Sequence, residues 1–389
     1  MLYNEYNLEL SGQAIRNKDK ICSLNIMVIG DTGLGKTTFV RRFYNTIKDT
    51  IIKNTFKETI PNIISDPLQT TKNPYTISMH IKQQQYYHQH LFLSILDTPG
   101  FNSKLSMDQQ LLSFTEYIDH QYEQTFTEET KLKRDTKRKD SHIHACLYFI
   151  NATCINSLTD KDLYMMKQLA NRVNVIPIIG KTNSTTANKQ QLDHFKIMFR
   201  HCLFDLFQYP LYGFIHLDED GDEDRDEDEG NNDNRYDQPQ QSLKQQNNHD
   251  ICFNQYNSGS KKLDQIIEAL ISYPKQDEDE EDEIIAMIDY LKNIPLHFVE
   301  KSKRKTTTAD DNHGDNQNKN QIKTIEQQQQ LNCCQFEKLI DLLLLKHRDL
   351  LRIDTYKRFY EQYRINKLLN QQIRDIILIK SRGKKIVLK

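Results

Sequence analysis

Residues 30–38 constrain the fold of this chain more than any other stretch. They read Gly-Asp-Thr-Gly-Leu-Gly-Lys-Thr-Thr, they follow the apolar run 26–29, and they precede a segment with helical pattern. A buried strand, a glycine-rich loop and a helix start in this order are the context that a phosphate-binding P-loop requires. Glycines let backbone N–H groups approach phosphate oxygens, and the helix dipole adds to the attraction. We therefore predict a phosphate cradle made of Gly30, Asp31, Thr32, Gly33, Leu34, Gly35, Lys36, Thr37 and Thr38.

Two of these side chains have specific chemistry. Lys36 supplies a positive charge for the β- and γ-phosphates, and the Thr37 hydroxyl can reach a Mg²⁺ ion. Further along, the apolar run 91–96 ends in Asp97-Thr98-Pro99-Gly100. An aspartate at the carboxyl end of a strand can hold the Mg²⁺ shell, and a glycine N–H can reach a γ-phosphate. We predict Thr37 and Asp97 as magnesium ligands and Gly100 as a nucleotide contact.

Apolar runs alternate with helical patterns through the first half of the chain. The pattern predicts strands at 75–81, 91–96, 145–150 and 173–179, and helices at 109–122 and 160–170. Such alternation is typical of an α/β fold, here a P-loop GTPase-type three-layer sandwich with a mostly parallel sheet. The fourth strand ends where a GTPase reads guanine, so Lys181 and Asn183 are predicted to contact the base. Residues 48–74 are predicted to form a mobile switch loop, and spacing does not choose its magnesium threonine among Thr59, Thr70, Thr71 and Thr76.

Composition limits the class of protein. The chain has 389 residues, only 37% of them hydrophobic, and a formal net charge of −2. A low apolar content in a chain of this length indicates polar inserts in a packed domain. The near-neutral charge does not favour nucleic acid as a partner. Seven cysteines without a CxxC pair fit reduced thiols, and no apolar run is long enough for a signal region or a span. We expect a soluble cytoplasmic protein.

The predicted organisation has five parts. Residues 1–24 form an extension, and 25–300 form the nucleotide-binding domain with low-complexity inserts at about 218–262 and 275–283. A disordered insert at 301–332, a helical element at 333–370 and a short basic tail at 371–389 follow. Leu291 is predicted to begin a final strand region, and His347 is expected to be a core or interface histidine.

Two clusters of cations suggest anionic partners. Arg16, Lys18 and Lys20 lie in the N-terminal extension, and six more cations lie in the stretch 131–139. The first cluster could touch an anionic membrane surface, and the second could bind anions. Solvated segments explain both clusters equally well or better, so both interpretations stay open.

The motifs together resemble the septin family of filament-forming GTPases. The resemblance rests on residues 30–38, 97–101, 117–122, 140–150, 166–169 and 173–179, and on the C-terminal stretch 334–364. It identifies 333–370 as the septin-specific helical element. It implies GTP or GDP with Mg²⁺ as ligands and other septin subunits as partners in hetero-oligomeric, membrane-associated filaments. It also implies a cytoskeletal location at a septin ring or division site, in cytokinesis, septation or spore formation, such as the bud neck or the prospore membrane of a budding, sporulating cell.

The chain departs from the family pattern at several positions. Asn183 stands where septins carry the guanine-reading aspartate, His142 replaces an arginine, and tryptophan is absent. Asn102 and Ser103 follow where the septin motif continues with Gly-Asp, and Phe101, which fits that motif, occupies the position where many other GTPases orient water with glutamine. No long coiled coil follows residue 370. These departures predict weaker or less base-selective binding and slow or absent GTP hydrolysis. An active GTPase switch and a pseudo-GTPase interaction module are the alternatives.

Overall fold

The computed structural model describes residues 22–60, 73–82, 90–101, 104–133, 139–151, 158–180, 189–213, 259–274, 278–298 and 336–386. Its strands are β1 Cys22–Gly30, β2 Lys57–Glu58, β3 Tyr75–Lys82, β4 His90–Asp97, β5 Ala145–Ile150, β6 Val175–Ile179 and β7 Leu296–His297. Its α-helices are α1 Lys36–Ile47, α2 Met107–Glu129, α3 Asp160–Ala170, α4 Lys189–Arg200, α5 Lys261–Ser272, α6 Glu278–Asn293, α7 Arg348–Asp354 and α8 Glu361–Ile386.

The described strands form one sheet in the order β2-β3-β4-β1-β5-β6-β7. The pairs from β4 to β7 are parallel, and β3 runs antiparallel to both β4 and β2. The predicted α/β fold with a mostly parallel sheet is therefore confirmed. The carboxyl ends of β1, β4, β5 and β6 lie at one edge, where ligands bind in open parallel sheets.

Neighbouring residues of β5 point to opposite faces of the sheet, which defines the three layers. The Phe149 ring contacts Phe39 of α1 at 5.5 Å between centroids, whereas the Tyr148 hydroxyl donates to the Asp162 carboxylate of α3 at 2.8 Å. Helix α1 therefore covers one face and α3 covers the other. All six residues of β5 are buried, as expected for a central strand with helices on both sides.

The C-terminal helical region packs on both faces. Phe336 contacts Phe39 at 5.5 Å on the α1 side, and Tyr360 contacts Tyr122 of α2 at 6.0 Å on the opposite side. His142, which replaces the arginine of the family pattern, is buried and stacks on Tyr360 at 5.1 Å. Helical spacing predicted one long helix here, but a π-helical turn at Leu342–Lys346 ends the first segment before His347. Helices α7 and α8 continue through a second π-helical segment, Thr355–Tyr360.

Three boundaries of the sequence prediction need correction. The acidic stretch predicted as an insert at 275–283 enters α6 at Glu278, because Ile284, Met287 and Leu291 recur at helical spacing and are buried. Acidic side chains also suit the first turn of a helix. Leu291 therefore lies in a helix, and the last strand is only Leu296–His297. The predicted tail 371–389 is helical as far as Ile386.

Other predictions on low-complexity stretches lie outside the described residues, including most of the insert at 218–262 and that at 301–332. Of the described helices, none is long and apolar enough to span a bilayer.

Candidate functional site

The P-loop backbone lies between β1 and α1 in a shape that requires glycine. Gly30, Gly33 and Gly35 have φ angles of 144°, 85° and 86°. A Cβ atom on Gly30 would lie 2.5 Å from the carbonyl oxygen of Phe149. No side chain caps the N-terminus of α1, whereas Ser106 and Thr159 cap α2 and α3. The N-cap residue of α1, Gly35, has no side chain that could accept from the first N–H groups, and this helix N-terminus suits an anionic ligand.

Lys36 is folded back into this loop. Its ammonium donates to the carbonyl oxygens of Gly30 at 2.8 Å and Asp31 at 2.7 Å, and the side chain is buried. Burial lowers the pKa of Lys36 to about 8, while the carboxylates of Asp97 and Asp31 oppose this shift and Lys161 adds to it. The ammonium is thus held at the centre of the cradle, where phosphate oxygens can replace the two carbonyl acceptors.

Thr37 and Asp97 meet at the carboxyl edge of the sheet. The Thr37 hydroxyl donates to the Asp97 carboxylate at 2.6 Å, and Asp97 is fully buried at the end of β4. A hydroxyl and a carboxylate are the hard oxygen ligands that Mg²⁺ prefers, with phosphates and waters completing its shell. The donor set therefore fits Mg²⁺, although the described residues contain no cluster of three or more acidic, His or Cys ligands.

The segment after β4 lies directly on the P-loop. Thr98 donates its hydroxyl to the Val28 carbonyl of β1 at 2.7 Å. The Gly100 backbone is so close to Thr32 that a Cβ atom on Gly100 would overlap it. Gly100 thus lies against the cradle, and its contact with a nucleotide stays a prediction.

The predicted guanine-reading loop begins at the same edge. A Cβ atom on Gly180, at the end of β6, would be 2.7 Å from the carbonyl oxygen of Leu34. The chain therefore leaves β6 beside the P-loop, so the predicted base-reading loop begins close to the phosphate cradle. Lys181 and Asn183 lie outside the described residues, so their predicted contacts stay predictions.

Phe101 is packed into the protein at the position that follows Gly100. The residue is 9% exposed, and its ring contacts those of Phe114 at 6.1 Å and Tyr148 at 6.2 Å between centroids. The ammonium of Lys161 lies 4.3 Å from the ring centroid. The same ammonium contacts the Asp31 carboxylate at 2.5 Å. The P-loop, Phe101 and the start of α3 are thereby joined.

Two of the four candidate switch threonines fall in the described part of the chain. Thr59 and Thr76 pair with each other, since the Thr76 N–H donates to the Thr59 hydroxyl at 2.8 Å. Thr70 and Thr71 lie outside that part. The choice among the four therefore stays open.

The mostly parallel sheet has a glycine cradle, a central lysine and a Thr–Asp pair at its carboxyl edge. This combination defines a P-loop nucleotide-binding protein of the α/β class. The sequence model of the family described as Septin matches residues 20–236, more than half of the chain. The chain therefore belongs to the septin family, whose members are GTP-binding proteins.

Matches to individual proteins cover part of each chain. Septin-8-B of Xenopus laevis is 36% identical over 174 residues, which are 44% of this chain and 36% of that protein. Septation protein 7 of Candida albicans is 32% identical over 210 residues, or 48% of this chain and 31% of that protein. The matched region thus spans about a third of either relative. A crystal structure of a septin GTPase domain from Chlamydomonas reinhardtii aligns with 51% of this chain and 64% of that chain, at 20% identity and a TM-score of 0.35.

Sequence reasoning did not find Lys161 or Thr98. The Asp97–Gly100 motif assigns no role to Thr98. Lys161 is the second residue of α3, which begins at the carboxyl edge of the sheet. A lysine at the start of a helix that follows a parallel strand is placed near a ligand at that edge, and this position was the available signal.

Proposed function

We propose that this protein is a guanine-nucleotide-binding septin subunit in which the nucleotide organises the loops needed for assembly, with slow or absent hydrolysis. Its partners are other septin subunits, with which it forms hetero-oligomers and membrane-associated filaments. The place of action is the cytoskeleton at a division or septation site, or at a forming spore. The family membership and the name of the Candida relative support this proposal.

The P-loop geometry supports nucleotide binding. Lys36 can transfer its two hydrogen bonds from loop carbonyls to phosphate oxygens, and the Thr37–Asp97 pair can hold Mg²⁺. The ion would neutralise phosphate charge when bound. Gly100 then lies where its N–H can reach the terminal phosphate of GTP.

The single observation that carries the structural role is the packing of Phe101. A group that orients an attacking water must hydrogen-bond to it, and a phenyl ring cannot. Phe101 is also held between Phe114, Tyr148 and the Lys161 ammonium, so the ring excludes water from this place. The site is thus better suited to holding a nucleotide than to cleaving it.

Two measurements test the proposal. The first identifies the nucleotide that co-purifies with the protein, and the second measures hydrolysis of GTP in a single turnover. We expect bound GDP or GTP and hydrolysis well below the ~10⁻² s⁻¹ of a switch with a built-in arginine. Lys36→Ala, checked for folding by circular dichroism, should lose the nucleotide. Faster hydrolysis would identify an active GTPase switch, and a folded wild-type protein that binds no nucleotide would identify a pseudo-GTPase.

Asn183 supports relaxed base selectivity. An aspartate accepts two hydrogen bonds from guanine, whereas an amide accepts with its oxygen and presents an N–H to the second donor. Asn183→Asp should raise the preference for GTP over xanthosine triphosphate roughly ten- to a hundredfold, because charge-assisted bonds are regained. Competition binding with Asn183→Gln as the control measures this. An unchanged preference in the aspartate variant would show that residue 183 does not read the base.

The predicted contact with an anionic membrane rests on the two clusters of cations in the sequence. The cluster of Arg16, Lys18 and Lys20 lies outside the described residues. Within the stretch 131–139, Lys131 pairs with Glu128 at 2.7 Å and Lys139 lies 3.9 Å from the centroid of the Phe92 ring. These two cations therefore already have contacts within the chain.

A further inference from the structure

Asp31 places a carboxylate within the phosphate cradle, where negative charge opposes a polyphosphate ligand. Its own carbonyl oxygen accepts from the Lys36 ammonium at 2.7 Å, so the residue is part of the cradle backbone. Its side chain is 42% exposed, so water screens its charge without cancelling it. A nucleotide phosphate bound at Lys36 would therefore experience the charge of Asp31.

Lys161 is placed to cancel this charge. Its ammonium contacts the Asp31 carboxylate at 2.5 Å and covers the Phe101 ring at 4.3 Å, so two contacts fix its position. The charges of Asp31 and Lys161 act on the buried Lys36 in opposite directions. The opposite charges of the pair therefore nearly cancel on this side of the cradle. Asp31 comes from the P-loop and Lys161 from α3.

We propose that Lys161 is an affinity-determining residue that acts as the counter-ion of Asp31 and makes the acidic P-loop compatible with nucleoside di- and triphosphates. The inference rests on the proposed nucleotide binding and assigns Lys161 a part in it. Its effect is electrostatic, so it grows with the number of phosphates on the ligand. Direct contact between Lys161 and a phosphate is the competing explanation, and it predicts a different response to loss of Asp31.

Calorimetry tests the inference. It measures the affinities of four variants for GMP, GDP and GTP in the presence of Mg²⁺. Lys161→Met should weaken GDP binding roughly tenfold, with a smaller loss for GMP and a larger loss for GTP. Lys161→Arg should bind normally because the charge is kept. Asp31→Asn alone should bind GDP more tightly than wild type, because Lys161 then acts on the phosphates without an opposing carboxylate. The double variant with both Asp31→Asn and Lys161→Met should return to within about threefold of wild type.

The matched control is Lys167→Met, since this lysine lies on the same helix but its ammonium is near the Tyr209 ring. It should bind all three ligands normally. A double variant as weak as Lys161→Met would overturn the counter-ion role, and so would a loss that is equal for GMP and GTP. Weakened binding by Asp31→Asn would overturn it even if Lys161→Met did not fold. Absence of GDP binding by the wild type would overturn the proposed function together with this inference.

Discussion

At the scale of single residues, Lys36 is buried at the place where the nucleotide phosphates are expected to bind. Burial lowers its pKa to about 8, well below the ordinary value near 10.5. Unfolded chains keep this proton up to the higher pH, so the folded protein binds fewer protons between pH 8 and 10.5. The stability contributed by this group therefore rises with pH through that window, because the cost of burying the charged form disappears.

Nucleotide binding should reverse this shift. Phosphate oxygens favour the charged ammonium, so GDP binding near pH 8.5 should take up protons and GDP affinity should fall as the pH rises further. Calorimetry in buffers of different ionisation enthalpy measures the uptake. The Lys36→Arg variant, whose guanidinium stays charged, is the control and should show no uptake from this site. Binding heats of the wild type that do not depend on the buffer would contradict the prediction.

At the scale of elements, His347 joins the C-terminal helical region to α6. The residue lies in sequence between Leu342–Lys346 and α7, its side chain is fully buried, and its Nε2–H donates to the Glu283 carbonyl at 3.2 Å. Burial lowers the pKa of His347 to about 4. The unfolded chain takes up the proton below its ordinary value of 6.5 and the folded chain does not. Stability therefore falls as the pH decreases from about 6.5 to 4.

The variant His347→Gln should reduce this acid sensitivity. Glutamine can keep a hydrogen bond to the Glu283 carbonyl but does not titrate. The loss of unfolding free energy between pH 7 and pH 4 should be about 3 kcal/mol smaller than in wild type. Urea unfolding at both pH values measures it. His120→Gln, at an exposed position of α2, should keep the wild-type pH profile. Equal acid sensitivity in wild type and His347→Gln would show that His347 does not carry the effect.

Elements differed in how well their sequence predicted them. The ranges 145–150 and 160–170 agree with β5 and α3, since strand and helix patterns there are uninterrupted and bounded by polar residues. The acidic start of α6 was predicted as a loop because composition suggested solvation. Burial of Ile284 and Met287 stabilises it as a helix, and this burial depends on segments distant in sequence.

At the scale of the whole molecule, Asn174 connects the sheet to the C-terminal helices. It is fully buried just before β6, and its amide group donates to the carbonyl oxygens of His144 at 3.0 Å and Leu351 at 3.2 Å. It also contacts the Thr355 hydroxyl at 3.3 Å and accepts from Arg358 at 3.2 Å. One side chain thus joins the P-loop domain to both α7 and the segment before α8.

The variant Asn174→Ala should lower the free energy of unfolding by about 2–3 kcal/mol, because buried polar groups lose their partner. Urea denaturation followed by circular dichroism measures the change. Asn171→Ala, at an exposed position three residues earlier, is the matched control and should stay within about 0.5 kcal/mol of wild type. A similar small effect for Asn174→Ala would mean that the C-terminal helices are not held by this residue.

The sequence by itself determined the class of the protein. The P-loop motif requires glycines and a lysine in a fixed local order, and the strand and helix patterns are equally local, so short-range physics is enough to predict them. Only the tertiary structure decided which side chains meet at the site. Lys161 is far from Asp31 and Phe101 in sequence, and it reaches both because parallel strands bring their following segments to one edge. Contacts of this kind depend on packing across the sheet, which no spacing of residues reveals.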